Sequence, residues 1–442
     1  MTSYSFAPSR LLLSLASLLA IASASLTGAN AYTHKILYSF CAKTNCTDGS
    51  GPHGGLIADS TGTLFGTTET GGAHNLGTVF KLTPNAKRTK WKLATLYSFC
   101  AKAKTYCLDG EYPNGALVLD TAGNLYGITY QGGAANGGVV FKLSPVEGQS
   151  KWKLTRIHDF VTGGTDGYSP ASGLTYDGAQ SGALYDGSSS LYGTTMMGGG
   201  AATGIVFSVT PIADKTQWKE KILHAFTTSD GTLPIGGVIF DGKGNLFGTA
   251  DTGGSTGYAG TVFELNPNAS KTRWTVTVLH NFCEVHCTDG EDPYATLVMD
   301  GSGNLLGTTT MGGANDEGVL YKLAPNGADS QLTVLYDFCS QANCADGTEP
   351  GNGTVGPLAI DGSGNLFGTT RSGGHSPGSG EGVAYELSGG TQTVLYTFCI
   401  EDNCTDGAYP SSGVILYGSK NLVGTTDGGG AYANGTIYEL TP

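Results

Sequence analysis

The sequence predicts an all-β fold, a seven-bladed β-propeller built from four-stranded antiparallel blades. Three observations support this prediction: a glycine-rich composition, a seven-fold internal repeat, and four short apolar segments in each repeat. Glycine accounts for 71 of the 442 residues, more than twice its usual share of about 7%. Charged residues make up only 13%, about half of the usual quarter. This composition excludes a coiled coil, a helix-dominated protein and a charge-rich disordered chain.

An Asp-Gly-x-x-Pro motif marks the repeat and occurs seven times along the chain. The copies begin at Asp48, Asp109, Asp166, Asp230, Asp289, Asp346 and Asp406 and end at Pro52, Pro113, Pro170, Pro234, Pro293, Pro350 and Pro410. The chain after residue 31 divided by seven gives a unit of about 59 residues. A period of this size is typical of propellers and other repeat folds.

Each repeat contains four apolar runs of four to six residues bounded by Gly, Asn, Asp or Pro. An aromatic-rich run such as Leu37–Phe40 precedes the motif, and three shorter runs follow it. The residues 300–304 (Asp-Gly-Ser-Gly-Asn) predict a hairpin turn between two of these runs. The runs therefore predict a four-stranded meander. One such sheet cannot bury both of its faces, whereas a ring of sheets buries them against each other.

The two ends of the chain predict how the ring closes. The first apolar run, His34–Phe40, corresponds to the outer strand of a blade. The chain ends with only three strands, at Val414–Leu416, Leu422–Thr426 and Thr436–Leu440. We therefore expect the first strand to complete the last blade as its outer edge, which leaves no open sheet end.

Two further segments of the repeat carry a family resemblance. Residues 124–133 (Asn-Leu-Tyr-Gly-Ile-Thr-Tyr-Gln-Gly-Gly), followed by Gly138–Leu143, resemble the GloVer tandem repeat of bacterial surface and secreted proteins. Residues 245–254, followed by Gly260–Leu265, are similar. The resemblance implies an exported, propeller-like protein, often tethered to the cell surface. It implies no defined enzymatic activity and no catalytic residues.

The first 31 residues have the pattern of a signal peptide. Arg10 precedes an apolar run from Leu11 to Ala22, and small residues then offer cleavage after Ala24 or Ala31. The run is about 12 residues long, whereas a membrane span needs about 20. We therefore expect residues 32–442 to be a single propeller domain, secreted, periplasmic or at the cell surface, with no membrane span.

The charge of the chain excludes nucleic acid as a partner. The net charge is −13, and the 23 Lys and Arg residues form no basic stripe that could contact a phosphate backbone. The acidity suits solubility and would also favour cationic ligands or metal ions. We expect a monomer whose partner is a polysaccharide or a surface protein.

The ten cysteines fall in close pairs at one position of the repeat, just before the Asp-Gly. The pairs are Cys41/Cys46, Cys100/Cys107, Cys283/Cys287, Cys339/Cys344 and Cys399/Cys404. An even number of cysteines in an exported chain predicts disulfides, and the spacing predicts that each disulfide joins the two cysteines of one pair and closes a short local loop, here called a staple. Repeats three and four lack cysteines, so the staple is optional for the fold. Zinc is the alternative, because His286 lies between one pair, although zinc usually takes four ligands.

Positions that differ between repeats but share one face are the candidates for function. In a propeller, the loop after each outer strand and the loop between the second and third strands open on the same side, around the channel mouth. The residues after the second strands are Glu69, Tyr130, Met196, Asp251, Thr310, Arg371 and Asp427. The variable loop positions include Glu111, Tyr168, Asp292, Tyr409 and, after the prolines, His53, Asn114 and Tyr294. From these we predict a ligand-binding set of Glu69, Tyr130, Asp251, Arg371, Asp427, Glu111, Tyr294 and His53.

Three classes of function fit this face. The first is a non-catalytic exported recognition or scaffold module that binds a glycan or a protein. The second is a carbohydrate-active hydrolase or lyase with two carboxylates from Glu69, Asp251, Asp427 and Glu111. The third uses the repeated aspartates as calcium ligands, although backbone hydrogen bonds in the turn are the simpler role for them. No other cofactor is expected.

Overall fold

The computed structural model describes residues 32–102, 106–212, 217–351, 356–374, 380–410, 412–418 and 420–442. These residues form seven antiparallel sheets arranged as the seven blades of a β-propeller. The predicted signal peptide at residues 1–31 lies outside the described residues. Helical structure in the described part is limited to short 3-10 turns, at Thr44–Cys46, Ala179–Ser181, Ala342–Cys344 and Asp402–Cys404. No helix in these ranges is long and apolar enough to cross a membrane.

The strands follow the repeat, from the innermost strand of each blade to the outermost. The chain begins with β1 (Thr33–Ser39). Blades 1 to 3 contain β2 (Ile57–Ala58), β3 (Leu64–Thr68), β4 (Thr78–Pro84), β5 (Trp91–Ser98); β6 (Glu111–Leu119), β7 (Leu125–Gln131), β8 (Asn136–Pro145), β9 (Trp152–Val161); and β10 (Thr175–Tyr176), β11 (Leu191–Thr195), β12 (Ile205–Pro211), β13 (Trp218–Ala225). Blades 4 and 5 contain β14 (Ile239–Phe240), β15 (Leu246–Ala250), β16 (Thr261–Pro267), β17 (Trp274–Asn281); and β18 (Val298–Met299), β19 (Leu305–Thr308), β20 (Val319–Ala324), β21 (Gln331–Asp337). Blades 6 and 7 contain β22 (Thr348–Pro350), β23 (Ala359–Ile360), β24 (Leu366–Ser372), β25 (Val383–Ser388), β26 (Thr391–Thr397); and β27 (Ala408–Pro410), β28 (Ile415–Tyr417), β29 (Asn421–Gly428), β30 (Thr436–Thr441).

In five of the seven blades the innermost strand is shorter than the sequence predicts. β2, β10, β14, β18 and β23 have two residues each, against the expected four to six. The reason is the close approach of neighbouring blades near the axis, where glycine replaces larger residues. A Cβ atom on Gly54 would lie 2.6 Å from the carbonyl oxygen of Gly115 in the next blade. A regular strand with side chains has no room there.

The predicted closure of the ring by the first strand is confirmed. β1 pairs antiparallel with β30, with Thr33 opposite Thr441 and Ser39 opposite Thr436. The amide of Phe40 donates to the carbonyl of Gly435 at 3.0 Å, and its ring is fully buried. The last blade therefore takes its outer strand from the start of the domain.

A glycine–proline contact joins each blade to the next and explains why the motif proline recurs. The glycine at or just before the start of each third strand packs against the motif proline of the following blade. A Cβ atom on this glycine would lie within 2.8 Å of the proline Cδ. The pairs are Gly77–Pro113, Gly138–Pro170, Gly204–Pro234, Gly260–Pro293, Gly318–Pro350, Gly382–Pro410 and Gly435–Pro52. The last pair carries the contact across the closure, so the seven junctions are equivalent.

The hydrophobic core consists of layers between adjacent blades. In one layer, Leu37 and Phe40 of blade 7 pack with Leu64 and Phe80 of blade 1. The rings of Phe40 and Phe80 meet edge to face at 5.2 Å between centroids. The tryptophans start outer strands and pack against these layers, at Trp91, Trp152, Trp218 and Trp274.

All five predicted disulfides are present, each within its own loop. They are Cys41–Cys46, Cys100–Cys107, Cys283–Cys287, Cys339–Cys344 and Cys399–Cys404. The prediction of local staples is therefore confirmed for every pair, and no cysteine among the described residues is free.

One of these disulfides is more buried than the other four. Cys107 is only 8% exposed and its partner Cys100 only 9%, whereas the other eight cysteines are partly exposed. The two residues are seven positions apart, against four or five in the other loops.

The zinc alternative is not supported in the described part of the chain. The one cluster of three possible metal ligands found there consists of Cys283, Cys287 and Glu291. Two of its members are the sulfurs of a disulfide, and a disulfide offers no thiolate to a metal.

Candidate ligand-binding site at the channel mouth

The two predicted sets of loops lie at the same end of the blades. The motif loop pairs with the loop between the second and third strands through Ser50–Thr70 in blade 1, Thr232–Thr252 in blade 4 and Glu291–Met311 in blade 5. We call this end of the propeller the mouth face. Its motif loops are residues 41–53, 100–102, 106–114, 161–171, 227–235, 283–294, 339–351 and 399–410. Its loops between the second and third strands are residues 69–77, 130–138, 196–204, 251–260, 310–318, 371–374, 380–382 and 427–435.

The motif aspartates anchor the loop that precedes them. The buried carboxylate of Asp48 accepts hydrogen bonds from the Tyr38 hydroxyl at 2.6 Å and from the amides of Ala42 and Lys43. Equivalent bonds from backbone amides reach Asp109, Asp230, Asp289, Asp346 and Asp406. This supports the hydrogen-bonding role expected for these aspartates. Calcium binding stays a prediction.

Histidine replaces the tyrosine donor on the outer strands of blades 2, 3 and 4, which face the motif aspartates of blades 3, 4 and 5. The imidazoles of His224 and His280 lie 2.9 and 2.7 Å from the carboxylates of Asp230 and Asp289. In blade 3 the distance from His158 to Asp166 is 3.5 Å. Each of the seven outer strands thus presents one polar side chain to the motif aspartate of the next blade. This side chain is a histidine beside three of the aspartates and a tyrosine beside the other four.

Backbone hydrogen bonds bring residues of neighbouring blades together around the mouth. The second variable residue of each motif has a left-handed conformation, as at Leu233 (φ 54°) and Asp292 (φ 57°). The amide of Asp292 donates to Ala259 of the preceding blade at 3.1 Å. The amide of Asp251 donates to the carbonyl of Leu233 at 3.1 Å. The bond from Asp292 to Ala259 joins blade 5 to blade 4, and the charge of Asp292 acts on the Asp251 carboxyl group of blade 4.

These two carboxyl groups resist ionisation. Burial raises the pKa of Asp251 to about 7, and the charge of Asp292 adds to the rise. Burial and the charge of Glu291 raise the pKa of Asp292 to about 6. Among the described residues, Oδ1 of Asp251 has no hydrogen-bond partner. Asp251 therefore keeps its proton to higher pH than Asp292 does.

An apolar cluster and one tyrosine border this pair. Ala171 and Ile235 are buried, and Met196, Leu233 and Tyr294 pack against them. Burial raises the pKa of the Tyr294 hydroxyl, the charges of Asp251 and Tyr130 add to the rise, and Arg371 opposes it. Tyr294 thus shares one electrostatic environment with groups from blades 2, 4 and 6.

Tyr294 therefore lies within electrostatic range of three other predicted site residues, Tyr130, Asp251 and Arg371. The guanidinium of Arg371 also lies over the ring of Tyr409, 5.5 Å from its centroid.

The other four lie elsewhere on the mouth face. Glu69 is exposed, and its amide donates to Gly51. A Cβ atom on Gly51 would come within 3.1 Å of the Asp427 carboxylate. His53 lies 3.2 Å from the side-chain oxygen of Asn114, and Glu111 is half-buried on β6. The described contacts do not connect these residues to Asp251.

Sequence reasoning identified Asp292 and Met196 only as variable positions and did not include Leu233 or Ile235. The signal that could have found them is their place in the repeat. Asp292 and Leu233 occupy the second variable position of the motif, and Ile235 follows the proline, as Tyr294 does. Any residue at these positions faces the preceding blade at the mouth.

The assembled groups suit recognition of a polar ligand against an apolar surface. A protonated Asp251 can donate a hydrogen bond, an ionised Asp292 can accept one, and a tyrosine hydroxyl can do either. Arg371 supplies a positive charge, and Met196 with Leu233 supplies apolar contact. Protein ligand sites commonly combine such groups.

The sequence matches a family model described as the Gloeobacter/Verrucomicrobia repeat, over residues 24–186, 176–356 and 273–442. The matches together span nearly the whole described chain. No protein of curated function matches the sequence significantly.

Solved structures similar to this chain share little sequence with it. A sialidase of Trypanosoma rangeli is 10% identical with a TM-score of 0.44, over 93% of this chain and 59% of the sialidase. An α-L-arabinanase of Penicillium chrysogenum is 14% identical with a TM-score of 0.42, over 75% and 92% of the two chains. PorZ of Porphyromonas gingivalis, a surface component of the type IX secretion system, is 13% identical with a TM-score of 0.48, over 87% and 46%. The chain spans less than two thirds of the sialidase and less than half of PorZ.

Proposed function

The chain belongs to the Gloeobacter/Verrucomicrobia repeat family, and from its mouth geometry we propose that it is an exported recognition module. In this proposal the mature domain, residues 32–442, binds a glycan or a protein partner across the mouth face without making or breaking bonds. The group formed by Tyr130, Asp251, Tyr294 and Arg371 selects the ligand.

The observation that carries this proposal is the distribution of exposed apolar side chains. Of the twelve large apolar side chains exposed among the described residues, eight lie on the mouth face: Tyr106, Val161, Tyr258, Val285, Met311, Ile400, Tyr409 and Tyr432. Four of them are tyrosines, which combine contact area with a hydroxyl group and are enriched at binding surfaces. Apolar groups gathered on one face indicate an interaction surface.

The disulfides support both export and rigidity. Five disulfides in one chain fit an oxidising compartment outside the cytosol. Each closes one loop of the mouth face and so limits the conformations that this loop can adopt before a ligand binds. Such preorganisation reduces the entropy that binding costs.

The experiment is a binding screen followed by variants at the mouth. The mature protein would be screened on a glycan array and a peptide array, and hits would be measured by calorimetry. We expect Asp251→Asn and Tyr294→Ala to weaken binding at least tenfold, and Glu147→Gln on the opposite face to leave it unchanged. If both mouth variants bound the ligand as strongly as the wild type does, the proposal would be refuted.

A second function, glycoside hydrolysis or lyase chemistry, is favoured by one observation, the Asp251–Asp292 pair. A general acid must keep its proton near neutral pH while its partner is ionised, and the raised pKa values of these two carboxyl groups separate them in that order. The expected pH profile is a narrow bell between about pH 6 and 7.

This second function is tested by incubating the protein with a panel of polysaccharides and measuring new reducing ends and unsaturated products. Asp251→Asn and Asp292→Asn would each abolish turnover while leaving substrate binding measurable. Binding of a glycan that the protein leaves intact across pH 5 to 8 would exclude hydrolysis and retain recognition.

A further inference from the structure

Charge is distributed unequally between the two ends of the propeller. On the mouth face, the described residues include twenty carboxylates but only three Lys or Arg, namely Lys43, Lys102 and Arg371. The rest of the described chain carries fifteen carboxylates and seventeen Lys or Arg. The negative net charge of the protein therefore resides on one face, and the opposite end and outer rim are nearly neutral.

Thirteen of these carboxylates lie outside the repeated motif position and so are not explained by the loop anchoring described above. They are Glu69, Glu111, Asp251, Glu284, Glu291, Asp292, Asp316, Glu317, Glu349, Glu381, Glu401, Asp402 and Asp427. A solubility role alone would not place them all on one face, since any exposed position would serve.

Neighbouring carboxylates on blades 5 and 6 repel one another. Burial raises the pKa of Glu317, and the charges of Glu349 and Asp316 add to the rise. Glu291 acts in the same way on Asp292. A cationic partner would relieve this repulsion, because each positive group placed between such carboxylates interacts favourably with more than one of them.

We propose that the mouth face docks a basic polypeptide, a segment that carries Lys or Arg together with apolar side chains. The proposal rests on the recognition function above and names its partner class. Positive charge complements the thirteen carboxylates. Apolar side chains of the segment contact exposed groups such as Tyr258, which is 82% exposed, and Tyr432, which is 51% exposed. A metal ion or a small polyamine would leave these tyrosines uncovered.

The interaction depends on ionic strength in a way that separates it from glycan binding. Electrostatic steering raises association rates by about 10- to 1,000-fold and is screened by salt. The affinity for a basic segment is therefore expected to fall at least about tenfold between 50 mM and 500 mM NaCl. Binding of a neutral glycan would change little over this range.

The test uses the mature protein and three defined probes. The first is a 20-residue peptide that alternates Lys and Arg with Leu and Tyr, the second has the same pattern with Glu in place of the basic residues, and the third is a neutral glucan oligosaccharide. The mouth variant combines Glu69→Gln, Asp316→Asn and Asp402→Asn, all at exposed positions. The matched control combines Glu147→Gln, Asp329→Asn and Glu386→Gln, which remove the same charge away from the mouth.

The mouth variant is expected to bind the basic peptide about tenfold more weakly, since exposed ion pairs each contribute up to a few-fold in affinity. The control variant should bind like the wild type, and circular dichroism should show that both fold normally. Replacing Tyr258 and Tyr432 by Ser should weaken the binding that persists at 500 mM NaCl.

Three results would overturn the proposal: no binding of the basic peptide, binding of the acidic peptide with similar affinity, or equal losses in the mouth and control variants. Binding of the oligosaccharide alone, lost on Asp251→Asn, would overturn the basic partner but preserve the recognition function. Binding of the basic peptide that survives every mouth substitution would contradict both.

Discussion

Replacing Asp251 by asparagine tests whether the mouth holds a carboxyl group that resists ionisation. Burial raises the pKa of this group from 3.8 to about 7 in the folded protein. The unfolded chain therefore releases the proton at lower pH than the folded protein does. The folded state loses stability as the pH rises from about 4 to 7, because ionisation is more favourable in the unfolded chain.

The magnitude follows from the size of the pKa difference. One pKa unit corresponds to about 1.4 kcal/mol, so three units correspond to about 4 kcal/mol once Asp251 is fully ionised. Asparagine carries no such cost. Asp251→Asn is therefore expected to exceed the wild type in unfolding free energy by up to about 4 kcal/mol at pH 8.5, and to match it at pH 4.

The assay is chemical denaturation followed by tyrosine and tryptophan fluorescence at both pH values. Glu69→Gln is the control, since it removes an exposed charge from the equivalent position of blade 1. Its effect should be small and similar at the two pH values. If Asp251→Asn gained no stability over the wild type between pH 4 and pH 8.5, the argument that this carboxyl group is forced to remain protonated would be wrong.

Three further substitutions test other parts of the structure. Burial lowers the pKa of His34 to about 4, so the folded protein loses stability as the pH falls from 6.5 to 4, because the unfolded chain takes up the proton more readily. His34→Leu should therefore be more stable than the wild type by about 3 kcal/mol at pH 4 and by little at pH 7.5. Equal stability of the two proteins in acid denaturation curves would contradict this. Gly435→Ala should destabilise by about 3 kcal/mol or more, because φ is 90° and a Cβ atom would lie 2.5 Å from the next blade; an unchanged thermal midpoint would show that the junction is not tight. The Tyr321 hydroxyl is buried and has no hydrogen-bond partner among the described residues, so Tyr321→Phe should raise the unfolding free energy by about 1 kcal/mol. A decrease of that size in urea titrations would show that the hydroxyl makes a stabilising hydrogen bond in the wild type.

The sequence was sufficient to predict the ring because its signals repeat. The motif proline and the glycine before the third strand each recur seven times, and the structure explains both by one contact between successive blades. Ring closure was predictable because the first repeat is preceded by one extra strand and the last repeat has only three. β1 pairs with β30 as expected. Local alternation and turn residues determine this level of structure.

The site was only partly predictable, because it depends on contacts between blades. Asp251 and Asp292 are 41 positions apart in sequence and come together only through the backbone bonds that join blade 4 to blade 5. The grouping of Tyr130 with Arg371 around Tyr294 depends likewise on the diameter of the ring, which no local pattern encodes. The length of the innermost strands was overestimated for the same reason, since glycine contacts near the axis limit them.

The mouth face forms only if the ring is closed between the first strand and the last. The most direct measurement is an engineered cross-link between Thr33→Cys and Thr441→Cys, which lie opposite each other on β1 and β30 and are both exposed. In the folded monomer, mild oxidation should yield one intramolecular disulfide, identified by mass spectrometry of the linked peptides. Two thiols that stay free in the folded monomer, or that link only between molecules, would show that the ring does not close in this way.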